Sequence, residues 1–372
     1  MVQSARPRVA IDAHAVGRRQ TGNETYVVEL ATALARRNDV EPLVYVDAGT
    51  PWPRSDAPPL RELRWRSRLL RIPVELPIRA RQDGARILQV QYVAPPVAGI
   101  PLAVVVHDVS FLDIPGAFPR LTSLRMRASI GASVRRASLV ITGSEFTRER
   151  LMDAYRLSPG RVVVTPYGVD SRWRPLPTSE SARILATAEV TLPERFVLAI
   201  GNVHPRKNIP RLIWAVAALR STGFDDVELV MVGQRQWGGT AVERAIDEVA
   251  GHGWIHATGY VDDETLVAIT GRASVVAYPS LYEGFGFPVL EALACGTPVV
   301  TSDRTSTREV AGDVAVLVDP ESTDAIAEGL RTALTAVEVR RRARDLGPRH
   351  AATYTWDRCA EATVAAYRDI LG

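Results

Sequence analysis

The chain has 372 residues, 46% of them hydrophobic, which is enough for two domains of ordinary size, each with its own core. A net charge of +3 with no zinc-finger spacing, no RNP-type aromatic strand and no long Lys/Arg run excludes a dedicated nucleic-acid binder. Cys295 and Cys359 stand at no metal-ligand spacing, which excludes a disulfide framework and a zinc site, and no apolar run approaches the roughly 18 residues of a membrane span. The expected setting is the cytoplasm.

In chain order, short β-branched runs alternate with helical patterns. RVAID at 8–12 is followed by TYVVELATALARR, and PLAVVVHD at 101–108 and SLVITGSE at 138–145 by FTRERLMDAY. RVVVTPYG ends this series at 168. FVLAIGN at 196–202 begins a second one, with IPRLIWAVAALR, VELVMVG, SVVAYPS, PVLEALACG, TPVVTSD and AVLVDP. Strands without polar alternation, separated by helices, predict parallel sheets covered on both faces, an α/β fold of two Rossmann-like domains. Pro175, Pro177 and the polar residues after them read as a linker. The expected division is 1–175, 176–354 and a C-terminal amphipathic helix at 355–372, with Cys359, Ala362, Ala366 and Ile370 on one stripe, that packs back on a domain, the N-terminal one being the candidate.

In open α/β sheets ligands bind beyond the carboxyl ends of the strands, so the residues just after each strand carry the information. After the first strand come Asp12, His14, Gly17 and the TGNE stretch, where Thr21 and Glu24 form a capping box and Gly22 sits in the first turn of a helix able to meet an anion. The spacing is not GxGxxG, which argues against a nicotinamide-dependent oxidoreductase. His107 and Asp108 follow PLAVVV directly. Ser144 reads as the cap of FTRERL.

The most specific stretch is YPSLYEGFGFPVLEALACGTPVVTSD. Pro288 suits a first helical turn and Gly296 a C-terminal cap, which makes 283–286 a loop aimed at a helix start and places Glu291 in its first turn. Carboxylates at 283 and 291 can accept from hydroxyls while the amides of 284–286 donate to oxygens, a pattern suited to a polyhydroxylated, phosphorylated ligand. Lys207, the only lysine in the chain, lies in GNVHPRKNIP beside Arg206, after a strand and before a helix. Two cations at such an edge suit a diphosphate whose leaving-group charge must be stabilised.

These residues resemble the retaining, nucleotide-sugar-dependent glycosyltransferases of the GT-B fold, family 4. The resemblance is carried by EGFGFPVLE with its E-x7-E spacing, ALACGTPVVTSD, AVLVDP, GNVHPRKN, GYVDDETL, HDVSF and PYGVD, and it covers essentially the whole chain. It implies two Rossmann-like domains facing each other across a cleft. It also implies that Arg206 and Lys207 contact the donor diphosphate, that Glu283 with Gly284, Phe285 and Gly286 holds the donor sugar and phosphates, and that Glu291 meets the ribose hydroxyls. By the same resemblance His107 sits at the transferred sugar, Gly22 lines the sugar and acceptor side, and the main chain at Tyr260 and Val261 meets the base. Two positions depart from the family pattern: Asn202 follows Gly201 where an arginine is common, and Tyr167 stands where an asparagine is usual.

The implied activity is metal-independent, cofactor-free transfer of a hexose, with retention, to a hydroxyl of a glycan, a lipid-linked acceptor or a small molecule. HDVSFLDIPGAFP is similar to bacterial mannosyltransferases of surface polysaccharide assembly and nominates GDP-mannose, with a UDP-sugar as the alternative. The arginine-rich stretch 61–86, with Trp65, Leu69, Leu70 and Ile72 interleaved, is a candidate for peripheral contact with an anionic membrane at its inner face. The competing readings are a catalytically silent GT-B partner module and an epimerase or phosphorylase on the same fold.

Overall fold

The computed structural model describes residues 6–18, 21–65, 67, 70–233, 239–250 and 253–372, the side chains of Thr21 and Thr240 excepted. It divides into two compact units, one made of Met1–Leu112, Phe118–Gly168 and Tyr354–Gly372, the other of Asp113–Ala117 and Val169–Thr353.

The first unit holds strands β1 (Arg8–Asp12), β2 (Glu41–Asp47), β3 (Leu60–Leu63), β4 (Ile87–Gln91), β5 (Leu102–Val105), β6 (Leu139–Thr142) and β7 (Val162–Val164). They form one sheet in the order β3-β2-β1-β4-β5-β6-β7, with every pairing parallel. Parallel neighbours need crossovers, which lay helices over both faces and leave the strands buried throughout. The order reverses between β1 and β4, so the crevice at their carboxyl ends is where such a sheet takes a ligand.

β2 and β4 escape the sequence pattern because Pro42, Gln89 and Gln91 interrupt their apolar runs. In β4 all five residues are buried, and the side-chain oxygen of each glutamine meets another side chain. Tyr367 Oη donates to Gln89 Oε1 at 2.6 Å, and Gln91 Oε1 lies 2.7 Å from His107 Nε2. Tyr367 belongs to the helix Trp356–Leu371, whose buried residues are Trp356, Cys359, Ala360, Thr363, Val364, Ala366 and Tyr367, so Cys359 and Ala366 of the expected stripe are buried. The buried face is rotated from the expected one, because Trp356 and Tyr367 are the anchors and Ala362 and Ile370 are only half-buried. The Trp356 ring stacks on Tyr167 at 6.2 Å and 14°. A Cβ at Gly168 would stand 2.3 Å from Trp356 N, so glycine there is what admits the helix.

The second unit holds β8 (Phe196–Ile200), β9 (Glu228–Val232), β10 (Ile255–Gly259), β11 (Val275–Tyr278), β12 (Val299–Ser302) and β13 (Val316–Val318), again all parallel, in the order β10-β9-β8-β11-β12-β13. Its reversal falls between β8 and β11. Val197, Leu212, Val216, Leu229, Val275 and Leu330 are fully buried between the sheet and its helices.

The expected linker is a correction: residues Thr178–Thr187 form a helix that buries Ser181, Ile184 and Leu185. Its apolar residues recur at helical spacing, and Pro177, lacking an N–H, sits where a helix start needs none. The described residues of 61–86 include the end of β3, a π-helical turn at Arg71–Glu75 and a helix at Leu76–Gln82. Leu69 lies outside the described residues.

Candidate functional site

The loop after β8 and the loop after β11 rise on either side of the reversal in the second unit. The first carries GNVHPRKN, with Pro205–Lys207 as a single 3-10 turn. The second carries SLYEGFG and leads into the helix Phe287–Ala294. Leu281 N donates to Arg206 O at 2.8 Å, which ties the two loops together by backbone.

Glu283 is the hinge of the cluster. Its Oε1 accepts from Lys207 Nζ at 2.7 Å and its Oε2 from Arg206 Nη1. Arg206 Nη1 also donates to Tyr282 O at 3.2 Å. Ser306 Oγ donates to the Glu283 carbonyl at 2.8 Å. Glu283 is only 5% exposed. Burial alone would push its carboxyl up, but the charges of Arg206 and Lys207 and their hydrogen bonds outweigh it and hold the group at about 2. One ionised carboxylate between two cations leaves a single positive charge in excess.

Lys207 Nζ also bonds to Tyr278 Oη and lies 4.3 Å from the centre of that ring. The ammonium is therefore enclosed by a carboxylate, a phenol and a π face. That space suits a compact charge on a flexible stem and not the wide planar fork of a guanidinium. The Tyr278 hydroxyl is kept protonated, first by burial and then by the charge of Glu283.

Glu291 is the fifth residue of its helix and not in the first turn, so it does not complement the helix dipole there. It is half-buried, and its pKa is pushed up to about 8, first by burial and next by the charge of Asp263, against Arg172 and Lys207. It is a neutral acid at pH 7. Arg172 in turn pairs with Asp170 at 2.8 Å and with Asp263. Gly286 has φ +108°, a conformation reserved for glycine, and caps the helix. Phe285 is buried with its ring edge-on to Phe287 at 5.2 Å, so only its main chain can serve a ligand. Tyr260 and Val261 follow β10, Tyr260 being exposed, and Asn202 follows Gly201 half-buried.

His107 and Gly22 belong to the first unit. His107 follows β5 as expected, but its imidazole is only 7% exposed and both nitrogens are engaged. Nδ1 lies 2.7 Å from Tyr167 Oη and Nε2 2.7 Å from Gln91 Oε1. Burial lowers its pKa to about 4, so the ring is neutral. Gln91 Oε1 can only accept, which puts the proton on Nε2 and makes Tyr167 the donor to Nδ1. Tyr167 thus fills the departure from the family pattern with a partner for the histidine.

Tyr26 and Tyr92 pack against the same ring, at 4.8 and 5.5 Å between centres. Tyr92 has φ +60°, and Val93 N donates across it to Gln91 O at 2.6 Å. That tight turn stores strain next to His107 at the carboxyl end of β4. Gly22 lies in the helix Thr21–Ala35, half-buried. The expected capping partner Glu24 instead accepts from Gly17 N at 2.8 Å, and the side chain of Thr21 lies outside the described residues.

Sequence reasoning missed Tyr278, Arg172, Asp263, Ser306, Gln91 and Tyr92. Tyr278 opens the YPSLYEGFG stretch, Asp263 lies within GYVDDETL and Arg172 follows PYGVD, so these three stood in or beside motifs without being singled out. Ser306, Gln91 and Tyr92 lie outside the motifs, and their role comes from the fold. Among the described residues no group of three or more His, Cys, Asp or Glu side chains could hold a metal ion, and no helix is long and apolar enough to cross a membrane. An apolar cavity of about 180 Å³, lined by Gly201, Met231, Val242 and Ile246, opens beside β9, and Gly201 on its wall adjoins the Lys207 side chain.

Residues 186–350 match the family described as glycosyl transferases group 1, and residues 21–173 match glycosyltransferase family 4. The chain is 32% identical over 262 residues to O-antigen chain mannosyltransferase B of Escherichia coli, covering 70% of this chain and 68% of that protein. It is 33% identical over 233 residues to MMP alpha-(1->4)-mannosyltransferase of Mycolicibacterium hassiacum, covering 61% of this chain and about half (53%) of that protein. A solved structure, sucrose-phosphate synthase from Thermosynechococcus elongatus, superposes with a TM-score of 0.79 at 21% identity over 98% of this chain and 99% of the other, which speaks to the fold.

Proposed function

This chain belongs to the family 4 glycosyltransferases, and we propose that it is a retaining, metal-independent mannosyltransferase using GDP-mannose, with a glycan or lipid-linked acceptor of surface polysaccharide assembly. The observation that carries the proposal is the pairing of Arg206 and Lys207 on the single carboxylate of Glu283 at the reversal of the second sheet. A diphosphate entering there meets two cations whose charge is only half compensated, and these stabilise the negative charge that grows on it as the sugar leaves. Positive side chains do what a divalent ion would otherwise do.

In this reading Glu283, kept ionised, accepts from donor sugar hydroxyls, and the main chain of 284–286 contacts sugar and phosphate. Glu291 meets the ribose and Tyr260 and Val261 the base. His107 serves as a fixed neutral group beside the transferred sugar and not as a proton carrier, since both ring nitrogens are engaged and its pKa of about 4 keeps it uncharged at pH 7. Gly22 lines the acceptor side. The acceptor's proton passes to the departing phosphate oxygen, so no protein nucleophile is needed, and the sugar keeps its anomeric configuration. Two mannosyltransferases among the relatives favour mannose over other hexoses.

The test is to incubate the purified protein with GDP-mannose, UDP-glucose, UDP-N-acetylglucosamine and ADP-glucose, with and without EDTA, and to follow release of the nucleotide and the product anomer by NMR. Preference for GDP-mannose, indifference to EDTA and an α product from the α donor are expected. An EDTA-sensitive rate restored by Mn²⁺, or a β product, would each overturn the part of the reading it addresses. Membrane contact through 61–86 is proposed on Trp65, Leu70 and Ile78, exposed by 44, 51 and 37%, since Arg71 of that stretch is buried. Neutralising four of its exposed arginines should reduce sedimentation with anionic vesicles, and unchanged sedimentation removes the proposal.

A further inference from the structure

In the first unit, a buried cation stands where the neighbouring carboxylate only half matches it. Arg71 opens the π-helical turn Arg71–Glu75 and its side chain is 5% exposed. Nη1 stands 2.6 Å from Asp47 Oδ1 at the end of β2, while Nε and Nη2 are buried and have no hydrogen-bond partner among the described residues. Those two nitrogens form one edge of the guanidinium. Their N–H bonds run parallel, the geometry that takes two oxygens of one oxyanion. Asp47 cannot supply them, because its Oδ2 is bonded to Arg18 from the loop after β1. One carboxylate serves two guanidiniums, and the cluster keeps a positive charge in excess.

We propose that this unpaired edge of Arg71 is an oxyanion-binding site, and that the oxyanion it takes is a phosphate monoester carried by the acceptor. The site lies at the carboxyl ends of β1 and β2, the edge at which open α/β sheets take ligands. The loops after these strands lie against each other: Gly17 has φ +76°, and a Cβ there would stand 3.3 Å from Thr50 Cγ2. His14 sits on the same loop as Arg18, with Nδ1 2.7 Å from the buried Asp12 Oδ2, whose charge favours the imidazolium, the form in which Nε2 is a further donor at this edge. Its imidazole feels the charges of both Arg18 and Arg71. A carboxylate would fill the fork and have nothing left to offer. A phosphate monoester brings a third oxygen and a second charge for Arg18 and His14. That the phosphate belongs to an acceptor rests on the transferase reading; that an oxyanion binds does not.

The test uses the full chain with ¹³C-labelled histidine and inorganic phosphate as probe. The chain has six histidines, so the His14 imidazole signal can be assigned with a His14→Gln variant and followed alone. Phosphate should shift it to saturation at millimolar concentration. Arg71→Lys, which keeps the charge but not the fork, should weaken the midpoint at least about tenfold, whereas Arg206→Gln in the second unit should change it by less than about twofold. A His14 signal unmoved by about 100 mM phosphate, or an equal midpoint in Arg71→Lys, would mean that water alone meets the edge, and the proposal falls. Acetate binding as tightly as phosphate would also overturn the monoester assignment. If Arg71→Lys loses its dispersed histidine signals, Asp47→Asn decides instead. Removing that carboxylate should tighten phosphate, and unchanged or looser binding sinks the site. A failed nucleotide-sugar screen would remove the acceptor while leaving the titration standing.

Discussion

The carboxyl edges of the two sheets carry the same charge device built in two ways. In the second unit Arg206 and Lys207 share Glu283; in the first, Arg18 and Arg71 share Asp47. Each trio keeps one positive charge in excess. In the second unit the cations are neighbours in one loop, the carboxylate is 5% exposed, and each of its two oxygens accepts from a cation. In the first unit the three residues come from three separate segments, Asp47 is 22% exposed, and a guanidinium edge is left over. The contrast teaches that a closed trio at the sheet reversal is suited to hold and stabilise a reacting group, while an open trio is suited only to grip.

Breaking the closed trio should have the largest effect. Glu283→Gln leaves two cations without their carboxylate and is expected to lower kcat/KM by about a thousandfold, ~4 kcal/mol of transition-state stabilisation, in a nucleotide-sugar turnover assay. Asp47→Asn in the open trio should leave turnover of a non-phosphorylated acceptor within about threefold, and equal losses in both variants would erase the distinction. Lys207→Arg keeps the charge but not the shape that Tyr278 and Glu283 enclose. It should cost at least about tenfold in kcat/KM, ~1.4 kcal/mol, and near-normal turnover would mean that charge alone is needed.

Smaller effects sharpen the same comparison. Tyr167→Phe removes the donor to His107 Nδ1, and should lower unfolding stability by about 1 kcal/mol in denaturant melts without changing nucleotide affinity. The smallest concerns Glu291. Its folded pKa of about 8 lies above the usual 4.5, so the folded state holds a proton that the unfolded chain has lost. The associated stability is complete below about 4.5 and fades as pH rises through 8. Glu291→Gln should therefore melt later than the parent protein at pH 8.5, by ~0.5 kcal/mol once solvent screening is allowed for, and no later at pH 4.5. An equal gap at both pH values would show that Glu291 is ionised in the fold.

How far the sequence revealed these features follows from where their residues lie. The closed trio was legible because its cations are adjacent, its carboxylate opens an E-x7-E stretch, and both flank strongly apolar strands. Two parallel sheets were legible for the same reason, from β-branched runs without polar alternation. β4 was not, since Gln89 and Gln91 look like solvent-facing residues until Tyr367 and His107 are folded onto them. The open trio left no local mark: residues 18, 47 and 71 are joined only by the return of β2 beside β1 and by a π-helical turn that no periodicity announces. Tyr167 was noticed as a departure, but its role needed the position of His107. The helix at Thr178–Thr187 was hidden because two prolines before it look like punctuation when the second one is a start signal.

The helix Trp356–Leu371 sets a schedule. β7 ends at Val164, yet Trp356, which stacks on Tyr167, and Tyr367, which bonds to Gln89 of β4, arrive only after all of the second unit has been made. At ~5–20 residues per second the ribosome takes roughly ten to forty seconds over that interval, during which the first sheet lacks these two anchors while the second unit gains all of its strands. The half of the molecule that is translated first is therefore the half that matures last.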